Sequence, residues 1–250
     1  MKIAVAGGTG TVGRHVVDVA RERGHEVVVL TRSAGVDVIT GQGLAAALRG
    51  VEAVVDTSNL VTLDAKKAER FFTTGSRNLL AAEAAASVRH HVLLSIVGID
   101  RAPYGYYAAK VAQERVVEQG DVPWTIQRAT QFHEFAAQML DGMSFAGLHL
   151  APKLRTAPVA AREVGERLVA VAEAGPAGHV ADLAGPREER LEEMIRKLAR
   201  ARALRGPVIA VSMPGKQFAA MRSGATLPGP DAVRARQTFD EWVAGTPVAE

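Results

Sequence analysis

Short apolar runs alternate along the chain with longer segments that carry apolar residues at helical spacing. An apolar run at 2–6 is followed by an amphipathic stretch at 11–23 and by a second apolar run at 26–30. This alternation is typical of βαβ units, whose strands lie parallel in one sheet. Runs such as VVVL and VLLSIV are apolar at every position, which indicates strands covered by helices on both faces.

The pattern continues to about residue 130 and then changes. It predicts further strands at 36–40, 53–57, 91–97 and 124–128, and helices at 44–49, 64–88 and 106–119. The rest of the chain predicts a helix at 162–174, a short strand at 179–183, a charged helix up to 204, a strand at 207–212 and a loop or short helix at 213–230. We therefore expect an α/β fold with a Rossmann-type doubly wound sheet of five or six parallel strands.

The length of 250 residues suits one α/β unit, so we expect a single unit over 1–250. Within it, 1–130 is expected mainly to bind a cofactor, and 131–250 mainly to form a small C-terminal substrate-binding portion. A monomer and a homodimer are both compatible with the apolar helix at 64–88, because periodicity does not separate core packing from a subunit interface.

Composition excludes several classes of protein. The chain has no cysteine, which excludes disulfides, thiolate catalysis and iron–sulfur sites. The net charge is only +3 and the basic residues are scattered, so we expect no nucleic-acid partner. No apolar run approaches the roughly 20 residues that cross a bilayer, and the first residues lack the features of a signal peptide. We therefore expect a cytoplasmic protein with no membrane partner.

The strongest motif is glycine-rich and follows the first predicted strand. The sequence GGTGTVG at 7–13 opens the first predicted helix, so backbone N–H groups and the positive helix end can face a pyrophosphate. Its alternative interpretation is a flexible turn that binds nothing. The residues expected to contact the cofactor here are Gly7, Thr9, Gly10, Thr11, Val12 and Gly13.

The end of the second predicted strand indicates which dinucleotide binds. A site for NAD usually places Asp or Glu about 20 residues after the glycines, but this chain has Thr31, Arg32 and Ser33. A guanidinium and a hydroxyl can bind the 2′-phosphate of NADP(H), which a carboxylate would repel. Arg14 offers a second cation to that phosphate, unless it is simply a solvated helix residue. We therefore predict NADP(H) as the cofactor, with Arg32 and Ser33 as contacts.

Together these segments resemble the atypical short-chain dehydrogenases, in particular the NmrA-like NAD(P)-binding family. The resemblance covers nearly the whole chain. It rests on GGTGTVG, on LTR after the second strand, on LLSIVGID and GYYAAKVAQE, and on PWTIQRATQFHEF and HVADLAGP further on. It implies a Rossmann fold, a nicotinamide cofactor and an oxidoreductase activity. Relatives often carry Gly-Asp where this chain has Gly41-Gln42, which implies that Gln42 approaches the adenine.

Within GYYAAK the spacing Y-x-x-x-K places Tyr106 and Lys110 one helical turn apart on one face. An ammonium near a phenol lowers the pKa of the phenol and makes it a better acid or base during hydride transfer. We therefore predict Tyr106 and Lys110 as catalytic residues. Tyr104 and Tyr107 are alternatives to Tyr106, and an amphipathic helix start without chemistry is the alternative for the motif. The family resemblance implies that Lys110 also contacts the nicotinamide ribose.

Polar residues at strand ends complete the predicted cofactor site. Thr57, Ser58 and Asn59 follow a strand at the carboxyl edge of the sheet, where a dinucleotide crosses, and should line its nicotinamide half. Ser95 ends another strand and is expected to contact cofactor rather than substrate. His90 and His91 should point to opposite faces of their strand, so we expect no metal site.

The segment after the strand at 124–128 is expected to form the wall of the substrate pocket. The predicted contacts are Phe132, His133, Phe135 and Met139. They favour an apolar, flat small-molecule substrate. His133 can assist proton transfer because histidine titrates near neutral pH, although a lone histidine is more often structural.

Three functions are compatible with these residues. The leading hypothesis is an NADPH-dependent reductase of a small quinone, carbonyl or activated alkene. The second is an NADP(H)-binding redox sensor without turnover, which would have no need of Tyr106 and Lys110 at catalytic spacing. The third is an isomerase or dehydratase that keeps its nicotinamide bound throughout the cycle.

Overall fold

A central parallel sheet organises the computed structural model, which describes residues 1–245. The strands are β1 (Lys2–Ala6), β2 (Glu26–Leu30), β3 (Ala53–Asp56), β4 (His90–Ile96), β5 (Trp124–Ala129), β6 (Ser144–Phe145), β7 (Leu148–Pro152), β8 (Arg155–Thr156), β9 (Gly178–His179), β10 (Leu183–Ala184), β11 (Glu189–Arg190), β12 (Val208–Val211) and β13 (Val233–Arg234). The helices are α1 (Gly13–Glu22), α2 (Leu44–Ala47), α3 (Ala65–Ala85), α4 (Tyr106–Glu118), α5 (Glu134–Gly142), α6 (Ala161–Ala174), α7 (Leu191–Ala201), α8 (Lys216–Ser223) and α9 (Phe239–Ala244).

The strand order of the main sheet is β13-β10-β5-β4-β3-β1-β2, with β9 also paired to β5. The chain adds β2 on one side of β1 and then returns to add β3 on the other, and both neighbours run parallel to β1. In such sheets ligands bind outside the carboxyl ends of the strands where this reversal occurs. The Rossmann-type doubly wound fold is confirmed, and its switch point lies between β1 and β3.

Helices cover both faces of this sheet. One face packs against α1 and α6 through a cluster that includes Val16, Leu168 and Val92. The other packs against α2, α3 and α4 through Leu79, Leu93 and their neighbours. A further cluster joins α5, α7 and α9 and supports the C-terminal part of the chain. This burial of strands on both sides accounts for their uninterrupted apolar runs.

The predicted strand at 36–40 is wrong, because residues 38–40 form a turn and 36–37 have no regular structure. The Asp37 carboxylate accepts a hydrogen bond from the Ile39 N–H at 2.7 Å. Asn78 of α3 donates to the carbonyl oxygens of Val38 and Ile39 at 2.9 and 2.8 Å. Side chains thus satisfy backbone groups that a strand would have paired in a ladder. The other predicted strands of the first half are present, and the predicted strand at 207–212 is β12, which lies in a separate sheet with β7 and β6.

A buried ion pair joins α3 to the sheet. His91 Nδ1 lies 2.9 Å from Glu83 Oε1, and both side chains are fully buried, whereas His90 on the opposite face bonds Thr125. Burial by itself lowers the pKa of His91, but the Glu83 carboxylate outweighs burial and raises that pKa above 6.5. The pair therefore contributes stability that is fully present below pH 6.5 and is lost as pH rises through the raised pKa.

We expect Glu83→Leu to lower the free energy of unfolding by about 3 kcal/mol at pH 6, because it leaves an unpaired buried histidine. The matched control is the double variant Glu83→Leu/His91→Leu, which removes both charges and should recover much of the loss. Urea unfolding at pH 6 and pH 9 measures both. A single variant as stable as the double variant at pH 6 would contradict the ion pair.

Candidate functional site

The glycine loop packs directly against the end of β3. Gly7 has a φ of +72°, and its carbonyl oxygen accepts a hydrogen bond from the Gly10 N–H at 2.9 Å. A Cβ added at Gly7 would lie 2.7 Å from the Thr57 carbonyl oxygen, and one added at Gly13 would overlap the Gly7 carbonyl oxygen. Atoms of the loop and of the segment after β3 fill the space that side chains would need, so both positions require glycine.

The N-terminus of α1 lies at this loop. The helix begins at Gly13 with the buried Val12 as its N-cap, and no side chain caps it. The first N–H groups of a helix lack intrahelical partners and carry a partial positive charge, which suits a phosphate. Thr9 is exposed and Thr11 is half-buried beside it. The residues present therefore fit the pyrophosphate of a dinucleotide.

We expect Gly13→Ala to weaken dinucleotide binding and to cost about 3 kcal/mol of folding free energy, because its Cβ overlaps backbone atoms that cannot move aside. Gly10→Ala is the matched control for stability alone, since its Cβ would lie 3.1 Å from the Gly7 carbonyl oxygen and meet nothing else within 4 Å, while Gly10 is itself a predicted cofactor contact. Urea unfolding and NADPH titration measure both effects. Equal stability of the two variants would contradict the packing of the loop.

Polar side chains follow β3 at the carboxyl edge. Thr57 Oγ1 donates to the Ala6 carbonyl oxygen at 2.8 Å and so joins the ends of β1 and β3. The buried Asp56 accepts the Ser58 N–H at 2.9 Å. Asn59 is exposed, and its Oδ1 accepts the hydroxyl of Tyr106 at 2.6 Å. The structure thus brings Thr57, Ser58 and Asn59 to the switch point of the sheet, close to the glycine loop.

Lys110 of α4 turns inward to the same edge. Its ammonium donates to the Leu94 carbonyl oxygen of β4 at 3.0 Å and to Gln113 Oε1, and it lies 4.8 Å from the centre of the Phe72 ring. The residue is only 4% exposed. Burial lowers the pKa of Lys110 to about 8, against the opposing effect of the Asp56 and Glu114 carboxylates. Lys110 therefore titrates within the range in which enzymes work.

The three tyrosines occupy different environments. Tyr106 is half-buried and bonded to Asn59, Tyr107 is buried with its hydroxyl between Met221 Sδ and Gln131 Nε2, and Tyr104 is 40% exposed. Burial raises the pKa of Tyr106, followed by the effect of Tyr107. The expected lowering of that pKa by Lys110 is absent here, because the ammonium is directed to Leu94 and Gln113. Of the three, Tyr106 is the one held by a residue of the β3 loop.

The residues expected at the adenosine end are exposed. Arg32 and Ser33 lie in a short 3₁₀ helix, whose N-cap Thr31 accepts the Ala34 N–H at 3.3 Å. Among residues 1–245 the Arg32 guanidinium has no hydrogen bond or ion pair, which leaves all its donors for a ligand. Gln42 is also exposed, between two glycines with φ of +77° and +76°.

Ser95 lies further inside than the other candidates. It is 2% exposed within β4, where it pairs with Arg128 of β5. Its hydroxyl has no hydrogen-bond partner among the residues that the structure describes. The structure does not bring Ser95 to the surface of the edge on which Asn59 and Tyr106 meet.

The side chains that follow β5 lie in two different environments. Phe132, Phe135 and Met139 are half-buried, and Gln138 of α5 donates to Thr11 Oγ1 at 3.3 Å, which joins α5 to the glycine loop. His133 is instead fully buried between the rings of Phe239 and Trp242. Its Nε2 lies 3.1 Å from the Gln237 carbonyl oxygen, and burial lowers the pKa of His133 to about 4. The ring is therefore neutral and ties α5 to the C-terminal helix.

Sequence reasoning missed the polar residues that support the site from inside. Gln113 and Asp56 are buried and bonded to each other, and Gln131 bonds both Tyr107 and Thr156. Gln113 was within reach of the sequence, because it lies three positions after Lys110 on the same helical face. Within residues 1–245 no group of three or more His, Asp or Glu side chains is arranged to hold a metal ion. In that same stretch no helix is both long and apolar enough to span a membrane.

Residues 7–173 match a protein family described as NAD(P)H-binding. The chain belongs to this family. The match begins at the first glycine of the loop and includes the ends of β3 and β4, Tyr106 and Lys110. The match establishes a nicotinamide cofactor and confirms the predicted NAD(P)-binding family.

Known proteins share the fold over different lengths. The NADPH-dependent quinone oxidoreductase QOR2 of Escherichia coli, complexed with NADPH, superposes with a TM-score of 0.72 at 19% identity, covering 97% of this chain and 98% of that one. UDP-glucose-4-epimerase of Stenotrophomonas maltophila, with bound NAD, gives a TM-score of 0.76 at 15% identity, covering 98% and 96%. At these identities the structures show the shared fold.

A curated relative matches part of the chain. Photosystem II assembly factor Ycf39 of Synechocystis sp. is 29% identical over 164 residues, which cover 58% of this chain and 50% of that protein. The chain therefore spans about half the length of the curated relatives that it matches.

Proposed function

We propose that this protein is an NADPH-dependent reductase of a small apolar quinone, carbonyl or activated alkene. The observation that carries the proposal is that Lys110 and Tyr106 lie one turn apart on α4 and both contact the Phe72 ring. Lys110 is bonded to Leu94 of β4 and Tyr106 to Asn59 in the loop after β3, and that loop follows the strand end against which the glycine loop packs. A cation and a proton donor at that position suit the proton transfer that accompanies reduction of a carbonyl.

The preference for NADP(H) rests on Arg32. Its guanidinium is exposed and unpaired among residues 1–245, directly after β2, where a carboxylate would serve NAD. Arg14 is also exposed at the start of α1. Residues 1–130 then form mainly the cofactor-binding part of the protein and residues 131–250 mainly its substrate side.

We infer an apolar substrate from the partly exposed apolar side chains that follow β3 and β5. Phe132, Phe135 and Met139 follow β5 and are half-buried. In the loop after Asn59, Val61 is 88% and Leu63 is 91% exposed. A flat, uncharged molecule that contacts such side chains would gain from their removal from water.

In the proposed mechanism, the glycine loop and Arg32 would hold NADPH, which would supply a hydride for the electrophilic carbon of the substrate. The Tyr106 hydroxyl supplies the proton that the substrate oxygen takes up, and a proton from solvent restores the hydroxyl. The Asn59 amide orients that hydroxyl at 2.6 Å. Lys110 binds the cofactor and places a positive charge beside the reacting edge, which stabilises negative charge that develops on the substrate oxygen.

The test is a titration with NADPH and NADH, followed by NADPH oxidation with a panel of benzoquinones, naphthoquinones, apolar ketones and enones. We expect tighter binding of NADPH than of NADH and turnover on at least one apolar acceptor. The matched control panel contains charged acceptors of similar reduction potential, which should react slowly. Tight NADPH binding without turnover on any acceptor would overturn the reductase.

A second function, an NADP(H)-binding regulatory or assembly protein without turnover, is favoured by one observation. Tyr106 is bonded to Asn59 rather than to Lys110, and burial raises its pKa, so the phenol lacks the activation that reductases use. The matched curated relative from Synechocystis is named as an assembly factor. In this case NADPH would bind tightly and alter the stability of the chain without being consumed.

A further inference from the structure

The side-chain amide of a buried glutamine, Gln113, links the ammonium of Lys110 to Asp56 at the end of β3. Gln113 is fully buried on α4. Its Oε1 accepts a hydrogen bond from Lys110 Nζ, and its Nε2 donates to Asp56 Oδ2 at 3.2 Å and to Ser76 Oγ at 3.0 Å. The amide group therefore uses its oxygen and both of its hydrogens. One side chain joins α4, α3 and β3.

The chain of contacts continues from Asp56 to the cofactor loop. The other carboxylate oxygen of Asp56 accepts the Ser58 N–H, and the neighbouring Thr57 packs against Gly7 and Gly13. A displacement of Gln113 would therefore shift both Lys110 and the glycine loop. Lys110 lies at the proposed nicotinamide end of the cofactor site, and the loop lies at its pyrophosphate.

The charged groups around Lys110 explain why position 113 carries an uncharged amide. Asp56 faces it from β3 and Glu114 from its own helix, while Arg128 of β5 holds the Glu114 carboxylate at 2.6 Å. The other neighbours of the ammonium are the Phe72 ring and the Leu94 carbonyl oxygen. Because the amide lies between Lys110 and Asp56, it prevents a direct ion pair that would fix the ammonium to the end of β3.

We propose that Gln113 is a positioning residue, which keeps the Lys110 ammonium out of an ion pair with Asp56 and holds it against the Leu94 carbonyl oxygen, on the side of the sheet where the cofactor would bind. This inference rests on the proposed role of Lys110 in cofactor binding. A buried glutamine that merely satisfied neighbouring polar groups would affect stability alone. A positioning residue must also control the ionisation of Lys110 and the affinity for NADPH.

Two substitutions separate these roles. Gln113→Leu removes the acceptor of the ammonium, which should lower the pKa of Lys110. Gln113→Glu keeps the size but places a carboxylate on the ammonium, which should raise that pKa and fix the lysine in an ion pair. The matched control is Gln127→Leu: Gln127 is also fully buried, but its amide bonds the backbone carbonyl oxygens of Arg128 and Ala181 and the Arg167 side chain, and none of these groups bonds Lys110.

The experiment follows Lys110 directly by NMR of protein labelled with ¹³C at lysine Cε, using Lys110→Met to assign its signal. We expect the Lys110 titration to move down by about one pH unit in Gln113→Leu and up by about one unit in Gln113→Glu, and to stay in place in Gln127→Leu. NADPH dissociation constants at pH 7 should rise about tenfold in both Gln113 variants, but not in Gln127→Leu.

The outcomes distinguish this inference from the proposed function. Shifted Lys110 titration and weakened NADPH binding, with no acceptor reduced by the wild type, would overturn the reductase and support the positioning role. Gln113→Leu that titrates and binds NADPH like Gln127→Leu would overturn the positioning role, whatever the wild type reduces. A wild type that binds no NADPH would overturn both.

Discussion

Lys110→Met should abolish most of the NADPH-dependent turnover, with kcat falling about 1000-fold. Methionine has nearly the length of lysine and keeps the packing on Phe72, but it supplies no charge at the carboxyl edge. The loss should lie mainly in kcat, because the missing charge acts most strongly on the oxygen as negative charge develops. Stopped-flow measurement of NADPH oxidation under single-turnover conditions separates this effect from product release.

The matched control for this substitution is Lys216→Met. The Lys216 ammonium also lies over an aromatic ring, 5.7 Å from the centre of Tyr104, but it is exposed on α8. It should retain wild-type turnover. If Lys110→Met keeps more than about a tenth of the wild-type kcat, the ammonium has no part in the chemical step.

Ionisation of Lys110 gives the same hypothesis a pH dependence. Its pKa is lowered to about 8 and the proposed role requires the charged form, so kcat/KM should be constant below about pH 7 and fall as pH rises through 8. The remaining activity of Lys110→Met should lack this basic limb. A wild-type profile that is level up to pH 9.5 would contradict the assignment.

Arg32→Glu should reverse the cofactor preference. We expect the dissociation constant of NADPH to rise about 100-fold, because a hydrogen-bonded cation is replaced by an anion facing the 2′-phosphate. NADH should bind about tenfold more tightly, since the carboxylate can accept from the ribose 2′-hydroxyl. The ratio of the two constants therefore changes about 1000-fold, and isothermal titration with both dinucleotides measures it.

The matched control for Arg32→Glu is Arg21→Glu, which makes the same change of charge at the far end of α1 from the glycine loop. Salt screens such a distant charge, so the preference should remain that of the wild type. Equal shifts in the two variants would mean that only the net charge of the protein matters. An unchanged preference in Arg32→Glu would place the 2′-phosphate elsewhere.

The sequence predicts the parts of this structure that short segments determine by themselves. The βαβ order follows from uninterrupted apolar runs, and the loop at Gly7–Gly13 follows from steric demands on a few adjacent residues. The prediction of a strand at 36–40 was wrong because Asn78, about 40 positions away, donates hydrogen bonds to the carbonyl oxygens of Val38 and Ile39. The local pattern of apolar and polar residues does not reveal a contact between residues that far apart.

In the candidate site, too, the sequence predicts what short segments determine and misses what depends on distant contacts. Helical spacing correctly puts Tyr106 and Lys110 on α4, but it does not say that the lysine reaches the Leu94 carbonyl oxygen of β4. That direction depends on the packing of α4 against α3 and the sheet. For the same reason the expected effect of Lys110 on the pKa of Tyr106 was wrong, whereas Gln113 was within reach of the spacing argument and was overlooked.

The buried ammonium of Lys110, on which the proposed activity depends, also lowers the stability of the folded protein. A pKa lowered from 10.5 to about 8 means that the folded state holds this proton less tightly than the unfolded chain, at a cost of about 3 kcal/mol below pH 8 that is relieved as pH rises toward 10.5. Selection for heat resistance alone would favour an apolar residue at this position. A heat-stable descendant that keeps Lys110 would have to gain its stability elsewhere in the fold.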